Sequence, residues 1–126
     1  MTDPRPHAIL ARLQDATSAH DLDRMAGLFA PEAVMIGSAR YNVGEQQRRD
    51  YLRVVAEQPE TLRWDIPEFD VFLETDRVLG FAGVGHIEVT GGEDGLRLPF
   101  RLTLIAEKTD DGWRLLHFHG SLPDGS

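Results

Sequence analysis

Apolar residues recur at helical spacing in the first half of the chain and at strand spacing in the second. Ile9, Leu10, Leu13, Ala16 and Thr17 form one stripe. The helix that carries them opens at Asp3-Pro4, a capping side chain followed by proline at the first helical position. Thr17 to His20 breaks it. Asp21 then caps a short second helix that turns Leu22, Met25, Leu28 and Phe29 inward, and Pro31 closes that helix. Val34-Met35-Ile36 reads as a short buried strand ended at Gly37-Ser38, and Ala39 to Val43 as a loop. A third helix runs from about Gly44 to Gln58 and is stopped by Pro59. Its apolar face is Tyr51, Leu52, Val55 and Ala56; Arg48, Arg49 and Arg53 fall on the solvated side.

The second half is extended. Leu62 to Leu73 predicts a strand that Pro67 confines to an edge or a bulge. After a turn at Glu74 to Arg77, Val78 to Val89 predicts a long strand. Gly80, Gly83 and Gly85 in it signal a bend or the close approach of another group. Thr90 to Gly95 is a loop, Leu96 to Thr109 a second long strand, and Asp110-Asp111 a turn into the last strand, Trp113 to Ser121. Pro123 to Ser126 is a tail.

A two-residue turn at Asp110-Asp111 sets Glu107 opposite Arg114, an expected cross-strand ion pair, and Lys108 opposite Trp113. With strict alternation, Trp113, Leu115, His117 and His119 share one face with Phe100, Leu102, Leu104 and Ala106. Leu116 and Phe118 share the other face with Arg101, Thr103 and Ile105. Three helices followed by a twisted antiparallel meander predict an α+β fold, a cone-shaped roll of three N-terminal helices on a curved antiparallel sheet. The helices cover one face, and a second copy of the chain is the expected cover of the other, giving a homodimer.

Composition narrows the function. At 126 residues, with 41% hydrophobic content, the chain is read as one domain, 1–126, with a core of its own. It has no cysteine, which excludes disulfides and thiolate chemistry and fits a cytoplasmic protein. The net charge of −8, with Lys108 the only lysine, argues against nucleic acid as a partner. No apolar run approaches membrane-spanning length and no export signal stands at the N-terminus, so no membrane partner is expected.

Asp21-Leu22-Asp23-Arg24, then Leu28-Phe29-Ala30-Pro31-Glu32-Ala33-Val34, then Gly44, resembles the opening of nuclear transport factor 2-like proteins. The ending Asp111-Gly112-Trp113-Arg114-Leu115-Leu116-His117-Phe118-His119-Gly120-Ser121-Leu122-Pro123, with Arg101-Leu102-Thr103-Leu104 before it, resembles the SnoaL-like branch of that superfamily. The run His117 to Ser121 is also similar to the association domain of calcium/calmodulin-dependent protein kinase II. The resemblance implies a cone with a cavity between helices and sheet, in a superfamily of isomerases, cyclases, hydrolases, binding proteins and oligomerisation domains. In its ketosteroid isomerases a carboxylate base ends the first strand; the matching place here, near Gly37, has no side chain. In the kinase association domains, arginines on the two long strands enter the pocket; Val84 and Leu104 stand at those places. The implied pocket face adds Ala82, Val84, His86 and Glu88.

The candidate catalytic groups are therefore His117, His119 and His86, since imidazole titrates near neutral pH and can move protons. Glu88, two residues on from His86, could orient it. Tyr41, Trp64, Val84, Glu88, Leu104 and Trp113 are the candidate ligand contacts, with Tyr51 a further aromatic near the pocket. No cofactor is implied. No metal is expected either, because gathering His86 with His117 and His119 would need strands ~4.8 Å apart to curl sharply together. Three functions stay open: binding of a small hydrophobic molecule, an isomerase- or cyclase-type enzyme working by histidine proton transfer, and a homo-oligomeric assembly module.

Overall fold

The computed structural model describes residues 3–37, 41–91 and 95–123, and of 41–43 the backbone alone. Ser38 at the expected strand end, Ala39 and Arg40 of the expected loop, much of the loop between the long strands and the tail from Asp124 lie outside the described residues. Three helices precede most of the sheet: α1 (Arg5–Ser18), α2 (Leu22–Gly27) and α3 (Glu45–Glu57). The strands are β1 (Phe29–Ile36), β2 (Tyr41–Val43), β3 (Thr61–Asp65), β4 (Asp70–Glu74), β5 (Val78–Thr90), β6 (Leu96–Thr109) and β7 (Gly112–Ser121). They form one sheet in the order β2-β1-β7-β6-β5-β3, with β4 pairing β5 beyond the end of β3. All pairings are antiparallel except β1 with β7.

The α1 stripe is buried as expected, at Ile9, Leu10, Leu13, Ala16 and Thr17. Asp3 stands just ahead of the helix, where its carboxylate accepts from the Arg5 backbone N–H at 2.9 Å and from the Arg5 guanidinium. That guanidinium holds the Asp3 carboxyl down to about 2. Asp21 caps α2 by accepting from Arg24 N at 3.1 Å. The chain turns between the two helices at His20, whose φ of 53° is left-handed. Its ring reaches Ala56 O at 3.1 Å and Thr61 Oγ1 at 2.8 Å, joining the end of α3 to the start of β3.

Two early expectations are corrected. Helix α2 ends at Gly27, and Phe29 already pairs Leu115 in β7, with Leu115 N donating to Leu28 O at 2.7 Å. The apolar run from Leu28 to Phe29 thus serves the sheet. Arg48, read as solvated, is 3% exposed. The β1–β7 pairing shifts between Phe29 and Val34, and there Arg48 donates to Ala33 O at 2.9 Å and Ala30 O at 3.2 Å. Its guanidinium carbon lies 5.5 Å from the Phe29 ring centre. Burial lowers its pKa from the ordinary arginine value.

The glycines of β5 are explained by close approach. The chain from β3 to β4 breaks around Pro67 and crosses β5 there. A Cβ on Gly85 would lie 2.1 Å from Asp65 O, and one on Gly83 2.6 Å from Glu68 O. No side chain fits at either position.

The last hairpin turns at Asp110-Asp111, with Glu107 opposite Arg114 and Lys108 opposite Trp113 as expected. Arg114 nevertheless reaches Asp111, at 3.7 Å, in place of the Glu107 ion pair. The register then shifts: Ala106 pairs Leu115, while the next residue back along β6, Ile105, pairs His117. Leu116 is the extra residue of a β-bulge, and a one-residue slip exchanges every side chain beyond it between faces. Trp113 and Leu115 face the helices as expected. Past the bulge it is Phe118, 4% exposed, that faces inward, with Leu104 as its cross-strand partner. His117 and His119 therefore stand on the outer face, opposite Ile105 and Thr103.

Candidate functional site

Helices α1, α2 and α3 and the inner face of the sheet line a partly open cavity of about 210 Å³. Leu13 and Thr17 of α1, Met25 of α2, and Tyr51, Leu52 and Val55 of α3 form its helical wall. Met35, Leu62, Trp64, Ile87, Leu98, Phe100 and Phe118 form the sheet wall. Among the described residues, no charged side chain lines it. Trp64 and Phe118 meet edge to face with ring centres 6.1 Å apart, so aromatic rings from β3 and β7 corner the space on the inner face.

Trp64 is held by α1. β3 closes one edge of the sheet, and its unpaired backbone groups are taken by the Gln14 side chain. Gln14 Oε1 accepts from Trp64 N at 2.8 Å, and Gln14 Nε2 donates to Leu62 O at 2.8 Å. One amide thus does for two backbone groups what a neighbouring strand would do, and it fixes the depth of the indole.

Three polar atoms belong to lining residues that carry hydroxyl or indole groups. The Thr17 hydroxyl donates to Leu13 O at 2.7 Å. The Tyr51 hydroxyl occupies the place that a side chain at residue 37 would take: a Cβ on Gly37 would lie 2.7 Å from Tyr51 Oη. Trp64 Nε1 is buried and has no acceptor among the described residues.

The expected site residues divide three ways. Trp64 lines the cavity. Leu104 and Trp113 belong to the inner side and pack in the core, but neither lines the cavity. Val84, His86 and Glu88 are on the outer face, because Phe81 pairs Leu104 and Gly85 pairs Phe100, which turns the odd-numbered residues of β5 inward. Val84 is 69% exposed. Glu88 accepts from Arg63 at 2.5 Å and lies 3.4 Å from Arg97, and Arg97 also donates to Asp65 at 2.9 Å and reaches His86 Nδ1 at 3.3 Å. That cluster is a surface ion network. His117 Nδ1 meets Val34 O at 3.0 Å, and His119 stands beside it with ring centres 6.3 Å apart. The Tyr41 side chain lies outside the described residues.

Sequence reasoning missed Phe118 as a wall of the cavity. The signal was the Leu115-Leu116 pair, where simple alternation fails and a bulge restores it. Gly120 was a second signal. It pairs Leu102 on the inner face, and a Cβ there would lie 2.5 Å from the Phe100 ring.

Comparison with known proteins agrees with this geometry. Three solved structures share the fold at low identity. A Xanthomonas campestris protein provisionally named a calcium/calmodulin dependent protein kinase II association domain is 21% identical, over 100% of this chain and 91% of that one, with a TM-score of 0.83. A provisionally named dehydratase of the NTF2-like family from Streptomyces avermitilis is 14% identical over 94% of each chain, with a TM-score of 0.82. An NTF2-like superfamily protein from Salmonella enterica is 17% identical, over 94% of this chain and 89% of that one, with a TM-score of 0.74. No functionally curated protein matches the sequence. The SnoaL-like domain profile matches residues 7–125, which takes in α1 from His7, both later helices and every described strand, and by that match the chain belongs to the SnoaL-like family.

Proposed function

We propose that this protein binds a small apolar molecule in the cavity between its helices and the inner face of its sheet. The observation that carries the reading is a space of about 210 Å³ walled by apolar and aromatic side chains, with no charge among the described ones. A closed cavity of ~150 Å³ with such walls takes up benzene. Histidine-driven catalysis has less support, because His86, His117 and His119 are on the other face of the sheet. Binding is the better-supported activity, and tetralin is a suitable probe. A saturating concentration is expected to stabilise the protein by about 2–3 kcal/mol at 100 times Kd. Val55→Trp, which fills the cavity from the half-buried face of α3, is expected to abolish that gain. Equal stabilisation of wild type and variant, followed by calorimetric melting, would count against the reading.

A second reading concerns assembly. Val84 is 69% exposed in the middle of a long strand, within an open cleft on the outer face. One side of that cleft carries Glu68 and Asp70 and the other Arg101. A two-fold axis through the face would set each Arg101 against the acidic side of a second copy and cover both valines. We therefore propose a homodimer through this face. Sedimentation is expected to show a dimer for wild type and a folded monomer for Val84→Glu. A monomeric wild type at tens of micromolar sinks the idea.

A further inference from the structure

We infer that the molecule in the cavity is neutral and carries an oxygen acceptor, of the carbonyl or ether kind, held by the indole N–H of Trp64. The inference rests on the cavity reading above and adds to it the chemistry of the ligand. An indole nitrogen can only donate, and a buried donor is almost always paired. Trp64 Nε1 is the one buried side-chain polar atom without a partner among the described residues. Trp64 itself lines the cavity. Of the lining hydroxyls, that of Thr17 is committed, since Thr17 Oγ1 donates to Leu13 O at 2.7 Å. Water is a poor substitute, because an ordered water needs two to four polar partners and these walls offer few.

The rest of the lining sets what the acceptor belongs to. With no cationic side chain among the described residues of the wall, a carboxylate or phosphate would lose its hydration without a counter-charge. An ammonium would meet no carboxylate among the described lining residues. The space of about 210 Å³ suits one ring or two fused rings. The Trp64–Phe118 corner offers edges and faces for an aromatic ring. The class is a ring-sized aromatic or alicyclic ketone, lactone or ether.

The test compares 1-tetralone with tetralin, which differ by one carbonyl oxygen, and adds 2-naphthoate as the charged counterpart. For wild type, tetralone is expected to bind about 3- to 10-fold more tightly than tetralin, and 2-naphthoate at least about tenfold more weakly than either. Trp64→Phe keeps an aromatic body and removes the donor. It is expected to erase the tetralone advantage while leaving tetralin bound, and tetralin binding certifies that the variant is folded. The wild-type protein gives an independent readout: the Trp64 indole ¹⁵N–¹H resonance, identified as the one that survives Trp113→Phe, moves downfield with tetralone and stays in place with tetralin. Equal affinities for tetralone and tetralin, or an unmoved indole signal, overturn the inference and leave the cavity reading standing. If neither molecule binds, the cavity reading falls and takes the inference with it.

Discussion

Phe118→Ala is expected to destabilise the protein by about 3–5 kcal/mol, the usual cost of removing a large buried aromatic. His119→Ala, one residue on, is expected to change stability by less than about 0.5 kcal/mol. The contrast follows from the bulge. Phe118 is 4% exposed and packs on Trp64 inside, whereas His119 is exposed on the outer face. A domain of ordinary stability has only about 5–15 kcal/mol in all. The Phe118 variant should therefore melt far below wild type, and chemical denaturation of the two variants side by side measures the gap. Without the bulge the order would be reversed, with His119 inside and Phe118 wet. A costly His119→Ala beside a neutral Phe118→Ala would mean that β7 alternates straight through Leu116.

Arg48→Met is the second large effect, at about 2–4 kcal/mol. Methionine roughly keeps the length and the apolar stem of the side chain but leaves Ala30 O and Ala33 O without their donor. An unsatisfied buried acceptor costs about 1–3 kcal/mol, and the lost contact over the Phe29 ring adds to it. For a chain of this size the melting temperature should fall by roughly 8–15 °C. The neighbouring Arg49→Met should cost under about 1 kcal/mol, because its partner Asp23 is on the surface. Parallel thermal melts of the two variants check the difference, and equal shifts would show that burial of Arg48 contributes nothing.

These two residues also mark what the sequence could and could not tell. Periodicity located all three helices, since one apolar stripe per helix is enough to bury it. The final hairpin's turn and first register were legible because Asp110-Asp111 fixes the pairing locally. Gly83 and Gly85 announced the close approach that the crossing around Pro67 makes. Faces were harder, because each depends on counting residues by twos. One extra residue at Leu116 moved both terminal histidines outside, and the register of β5 on β6 did the same to Val84, His86 and Glu88. Arg48 was illegible for another reason. Helical spacing put it near the edge of the apolar face, and only the shifted pairing of β1 with β7 creates carbonyls that need a cation's donors. The cavity followed from the family resemblance in outline, while its walls depended on those faces. Trp64 was legible as an aromatic candidate, but its unpartnered nitrogen is visible only in three dimensions.

The account stands most directly on where a small apolar molecule sits. Nuclear Overhauser contacts from bound tetralin measure that in solution. The expected contacts run to the methyl groups of Leu13 and Leu52 and to the rings of Trp64 and Phe118, all of which line one space. Contacts to Val84 or His119 instead, or none at a concentration that saturates the protein, would contradict it.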